Sequence, residues 1–168
     1  MADDEKKIAT TKPRLKIVSG GQTGADRAAL DVAIELGLPH GGWCPRNRFS
    51  EDGKIPQQYI LRETKSTDYS VRTRWNVRDS DGTLIFYYEP LEGGTAFTWQ
   101  CAVQENKPVF LVELNFPPSP EAFYRWLNEN SIRTLNVAGP RESRHLGISA
   151  EVKQIFVSWL NRAISANS

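Results

Sequence analysis

"LKIVSGGQTGADRAALDVAIELG", running from Leu15 to Gly37, sets a short β-branched run against a helical pattern, with three glycines at the joint. Leu15–Ser19 has the length and composition of a buried strand. Ala25, Ala28, Ala29, Val32, Ala33 and Leu36 recur at the i, i+3, i+4, i+7 spacing of one apolar helix face. Thr23 stands where a cap is needed, Asp26 follows three residues on as in a capping box, and Gly37 offers the exit.

The same alternation continues along the chain. Gly41–Cys44 and Tyr59–Glu63 read as short strands, Ser70–Arg78 as a helix and Thr83–Tyr88 as a buried strand. Thr95–Asn106 is predicted helical and ends before Pro108, with Val109–Leu114 the next strand. Ser119–Asn130 opens on a capping serine with Pro120 at the first helical position. Thr134–Ala138 is a strand and Ser149–Ile164 the last helix. Strands alternating with helices predict right-handed parallel crossovers. The expected fold is therefore α/β: a Rossmann-like, doubly wound, mainly parallel sheet flanked by helices, in one ligand-binding domain over 14–165. Polar residues 1–13 read as a flexible leader, and the closing "AISANS" as a fraying end.

Composition excludes several classes. Twenty-one basic against 20 acidic residues leave a net charge of +1, so no overall field draws nucleic acid or an anionic membrane. No apolar stretch is long enough to span a bilayer, and the N-terminal residues lack the apolar core of a secretory signal. Cys44 and Cys101 have neither disulfide-framework nor metal-ligand spacing and read as free thiols in a reducing compartment. The isolated His40 and His145 build no zinc site, so no metal ligands are assigned.

In an open parallel sheet, ligands sit beyond the carboxyl ends of the strands. The loops on that edge are 20–24, 45–56, 64–69, 89–95, 115–118 and 139–147. Asp79 and Asp81, in "DSDG" at the other edge, read as turn formers. Two glycine-rich corners fall on the ligand edge: Gly20-Gly21-Gln22-Thr23-Gly24, and Gly93-Gly94-Thr95. Glycines at a strand-to-helix corner let a ligand approach the backbone, and the free amides and dipole of the helix start favour an anion. A dipole contributes only about 0.3–1 kcal/mol per charge, up to ~2 when partly buried, whereas micromolar affinity needs about 8 kcal/mol. Neighbouring loops must add the rest, and Arg46, Lys54 and Arg141 carry suitable donors, with Arg48, Arg144, Ser143 and His145 nearby. Trp43, beside the basic loop, is a candidate to stack on a ring. Asp26 and Arg27 read as capping and pairing residues.

The segments "GGQTGADRAALDVAIELGLPHGGWCP", "DSDGTLIF", "GGT" and "LNVAGPRES" closely resemble the family known as "putative molybdenum carrier", named from algal molybdenum cofactor carrier proteins. The likeness runs from about Leu15 to Gly147. It implies a parallel α/β fold, a homo-oligomer (dimer or tetramer), and reversible binding of molybdenum cofactor as cargo. That ligand is a pyranopterin bearing a phosphate, with the metal held by its own dithiolene, so no protein ligand to molybdenum is required. A contact from the Cys44 thiol is left open. Cytoplasmic location follows, as do molybdenum enzymes or cofactor-synthesis proteins as partners.

The wider superfamily also contains phosphoribohydrolases that act on nucleoside phosphates. Their second glycine motif continues to a glutamate, where this chain has Thr98. A carboxylate there would stabilise the positive charge that develops as a glycosidic bond breaks. Glu89, Glu92 or Glu142 could supply one from nearby loops. The expected function is thus a molybdenum cofactor carrier with no catalytic residues. A nucleoside-phosphate-binding or phosphoribohydrolase-like enzyme using the same pocket is the alternative, and a nucleotide-sensing module the third.

Overall fold

The computed structural model describes residues 14–166; the 1–13 leader and the last two residues of "AISANS" lie outside the described residues. Strand β1 (Lys16–Val18) leads into helix α1 (Ala25–Glu35) and then β2 (His40–Gly41). After a loop region come α2 (Tyr69–Arg78), β7 (Gly82–Tyr87), α3 (Gly93–Gln104) and β8 (Val109–Glu113). The chain closes with α4 (Pro120–Glu129), β9 (Thr134–Ala138) and α5 (Ile148–Ala166). The main sheet has order β2-β1-β9-β7-β8, with every pair parallel. From β1 the chain winds outward to β2, and from β7 it winds the opposite way to β8. The reversal falls around β9, which is where a doubly wound sheet opens a crevice at its carboxyl edge.

One face of the sheet carries α1, α4 and α5. Leu84 and Phe86 of β7 meet Phe123, Phe156 and Trp159 there, all at most 3% exposed. The Phe123 and Trp159 rings stack at 4.9 Å, and Phe86 meets Phe156 edge-on at 6.2 Å. Side chains alternate across a strand, so Thr83 and Ile85 face the other layer. There α2 and α3 pack through Val77, Cys101 and Ala102. Ser119 caps α4 by accepting from the Ala122 amide (3.2 Å), and Asp68 caps α2 by accepting from Ser70 (2.8 Å).

The predicted single strand over Gly41–Cys44 is divided. His40–Gly41 joins β1, whereas β3 (Trp43–Cys44) pairs in parallel with β6 (Arg62–Glu63) in a separate small sheet. The break is Gly42, at φ 127, where a Cβ would stand 2.2 Å from the Ser19 carbonyl oxygen. Only a residue without a side chain turns there. The Asn76 side chain, 2% exposed, then accepts from the Trp43 amide (2.7 Å) and donates to the Trp43 carbonyl (2.9 Å), locking α2 to this small sheet. Strands β4 (Phe49–Ser50) and β5 (Gly53–Lys54) form a short antiparallel hairpin in the loop expected to be basic.

Asp79 and Asp81 act as turn residues at the far edge. Asp79 accepts from the Trp43 indole (2.8 Å), and Asp81 accepts from the Arg133 and Thr134 amides (2.9 and 2.8 Å), fixing the entry to β9. Among the described residues no helix is long and apolar enough to cross a membrane.

Candidate functional site

A cleft of about 460 Å³ opens at the carboxyl edge, over the reversal point of the sheet. Its walls come from Gln22 after β1, the Tyr87–Thr98 segment after β7, the Ala138–His145 segment after β9, and the start of α2. The volume lies in the range that suits a small organic ligand. Among the described residues no cluster of His, Cys, Asp and Glu is arranged to hold a metal.

The first glycine corner is already filled, by a side chain of the protein itself. The Asp26 carboxylate, 4% exposed, folds back to accept from the Gln22 amide at 3.3 Å and from that of Gly20. Burial pushes its pKa up, against the opposing pull of Arg72 and those amides. The Gly21 amide donates to Ser19 Oγ, Thr23 to Gln22 Oε1, and Ala25 to the Pro140 carbonyl. Gly20 lies against the Arg72 guanidinium, with room for no Cβ, and Gly21 lies against Leu61 and Ile55.

Thr23 is not the cap of α1. The capping position is Gly24, at φ 81 and ψ −131 with no side-chain bond, because a Cβ there would stand 2.3 Å from the Pro140 carbonyl oxygen. The Thr23 hydroxyl turns outward instead, bonding to Glu51 and accepting from the Glu142 amide. Of the five residues at this corner, Gln22 alone lines the cleft; Thr23 and Gly24 line a shallower groove on the other side of the loop.

The second corner differs. Gly93, Gly94 and Thr95 line the cleft, and nothing lies within 4 Å of where a Cβ would stand on either glycine. Helix α3 starts at Gly93 and has no side-chain cap. Its first intrahelical donor is Ala96, bonded to the Glu92 carbonyl, so the amides before it have no partner within the helix. A 12-residue helix therefore points its positive end into the open cleft.

Arg141 joins it, with its guanidinium 5.4 Å from the Tyr69 ring and 3.9 Å from Glu51. Arg144 and His145 line the rim, and the His145 ring lies 4.8 Å from that of Tyr88. Burial and the bond to Glu151 push the Tyr88 hydroxyl up to about 12, so it stays protonated across the neutral range.

Other expected residues lie elsewhere. Arg46 and Lys54 are exposed outside the cleft, in a loop that its own Arg48 holds together by donating to the carbonyls of Ile55, Pro56 and Tyr59. Trp43 packs edge-on against Trp75 at 4.8 Å and does not face the cleft. Cys44 is fully buried with Leu30, Ile55 and Tyr59 and does not line the cleft. Arg27 is held by Asp52 and Ser50, matching its expected pairing role.

Glu142 is spent on the amides of Gly147 and Ser149 at the start of α5. Glu89 does not line the cleft, whereas Glu92 does. The Thr98 hydroxyl donates to the Gly94 carbonyl at 2.9 Å.

Arg72, on the cleft wall, was not legible from sequence. Nothing local separates it from Arg74 two residues on; what selects it is the bare surface of Gly20, more than fifty positions away.

The crystal structure, at 1.45 Å resolution, of a "putative molybdenum carrier protein" from Syntrophus aciditrophicus SB is similar to this chain. It shares 43% identity over 89% of this chain and 98% of that one, with a TM-score of 0.84. No curated protein matches the sequence. Residues 17–160, which include both glycine corners and every wall of the cleft, match the model of the circularly permutated YpsA SLOG family. With that match spanning most of its length, the chain belongs to the circularly permutated YpsA SLOG family.

Proposed function

We propose that this protein binds and carries a phosphorylated pterin, the molybdenum cofactor, in the cleft at the sheet reversal. The observation that carries the reading is the uncapped N-terminus of α3, whose open glycines face the same space as Arg141. A phosphate on the Gly93, Gly94 and Thr95 amides meets both the helix dipole and a guanidinium. The molybdenum stays on the ligand's own dithiolene, so the protein need supply only complementary shape and donors. The likeness to a protein named as a molybdenum carrier supports the choice of ligand.

The reading includes a homo-oligomer in the cytoplasm that hands its cargo to molybdenum enzymes or receives it from cofactor-synthesis proteins. Trp99 and Val103, one turn apart on α3, and Leu111 on the edge strand β8 are 40, 54 and 38% exposed, an apolar set that association would cover.

Incubation with freshly released cofactor followed by gel filtration tests the reading. Pterin and molybdenum are expected to travel with the protein. Recovery of both only in the small-molecule fractions rejects it.

A further inference from the structure

Two donors beneath the cleft have no partner among the described residues: Gln22 Nε2 and Arg72 Nε. Gln22 is 5% exposed, and its orientation is fixed because Oε1 accepts from the amides of Thr23 (3.1 Å) and Glu51 (3.0 Å). Its NH₂ is therefore the end left over. Arg72 reaches from α2 onto the bare face of Gly20, where a Cβ would stand 2.1 Å from Nη1. Nη1 sits 3.3 Å from Asp26 Oδ2, the same oxygen that takes the Gln22 amide, so the two residues converge on one point. With Nη1 turned to Asp26, the guanidinium's remaining edge is Nε and Nη2. Unpaired buried donors are costly and rare, and each calls for an acceptor.

This pole is separate from the α3 terminus. Gln22 follows β1 and α3 follows β7, and these strands flank β9. Two strand spacings put the poles about 10 Å apart. The donors around a single phosphate lie within roughly 6 to 7 Å of one another at hydrogen-bond distance, so one phosphate does not serve both. At the second pole Arg72 already has a carboxyl partner in Asp26, 3.3 Å away. This pole suits a neutral acceptor rather than another anion.

We propose that Arg72 and Gln22 form a second subsite that reads the carbonyl edge of a heterocycle whose phosphate sits on α3. The ligand class is a phosphate ester of a ring bearing an O=C beside a ring nitrogen, the edge common to guanine and pterins. An arginine fork is matched to that edge. Asp26 is a positioning residue that holds Arg72, and Gly20 admits it. The proposal rests on the phosphate reading of the cleft.

Calorimetry with three probes tests it: guanosine 5′-monophosphate, adenosine 5′-monophosphate and ribose 5-phosphate. The natural protein is expected to bind the guanosine ester about tenfold more tightly than the adenosine ester, whose ring presents an amino group at that place. Arg72→Lys keeps the pairing with Asp26 but loses the planar edge. It is expected to erase that preference and leave ribose 5-phosphate binding within about twofold. Gly20→Ala displaces only the flexible end of Arg72, and is expected to do the same should Arg72→Lys fail to fold.

Equal binding of the two nucleotides by the natural protein overturns the subsite, as does a parallel loss of ribose 5-phosphate in the variants. If cofactor co-elutes equally with natural protein and Arg72→Lys, the subsite fails while the carrier reading stands. Failure of the natural protein to bind ribose 5-phosphate removes the phosphate reading and the subsite with it.

Discussion

Replacing Gly94 by aspartate should stabilise the protein while weakening its hold on a phosphate ester. Gly94 lies at the start of α3 in open space, and a side chain there meets nothing within 4 Å of its Cβ. Asp is a better helix former than Gly by a few tenths of a kcal/mol. A carboxylate in the first turn adds about 0.3–1 kcal/mol through the dipole and the free amides. The sum is about 0.5–1 kcal/mol, or roughly 1–4 °C in Tm for a chain of this size.

Binding moves the other way. A carboxylate about 5.5 Å from a phosphate dianion repels it by about 1.5 kcal/mol even at the dielectric of water, and by more in a partly closed cleft. Affinity for ribose 5-phosphate should therefore fall at least tenfold. Differential scanning calorimetry and isothermal titration on the same preparation give both quantities. Unchanged affinity would refute the assignment of the anion to α3. A lower Tm would show that the terminus was already satisfied by other groups.

Gly24→Ala should cost at least about 3 kcal/mol in urea unfolding, since φ 81 and contact with the Pro140 carbonyl leave no room for a methyl group; a loss below about 1 kcal/mol would contradict the packing of this corner. Glu142→Ala removes the bonds to Gly147 and Ser149 at the start of α5 and should cost about 1–2 kcal/mol, with faster amide exchange in the first turn of that helix. Unaltered exchange there would count against the cap. Arg27 holds the Asp52 pKa down to about 2 from its ordinary 3.8. A carboxylate depressed in the folded state adds stability above its unfolded pKa, and the gain is lost as pH falls from about 4 towards 2. Asp52 is half exposed, so after solvent screening the effect is about 1 kcal/mol. Asp52→Asn should flatten the stability profile over that window, and an unchanged slope would exclude the pairing as its source.

The alternation of strand and helix was legible because it rests on local signals. The alanine face of α1 and the Ser119-Pro120 start of α4 need no distant partner to be recognised. Short-range reading missed what long-range contacts decide. Gly42 breaks a strand because Ser19 backs onto it, and Gly24 displaces Thr23 as the cap because Pro140 presses on it. At the site, both glycine corners were visible, yet their amides have different fates. The first is closed by Asp26, a residue read for capping and pairing and not for filling the corner, while the second stays open for want of any side chain near Gly93 and Gly94. Arg72 gains its place from a glycine far off in sequence, which no spacing rule records.

The central claim is that the anion is received by α3 and not by α1. Crystals soaked in ribose 5-phosphate decide this directly. Phosphate density within hydrogen-bond distance of the Gly94 and Thr95 amides, beside Arg141, is the predicted result. Phosphate on the Gly20–Gly24 corner, or density at neither place, would contradict it.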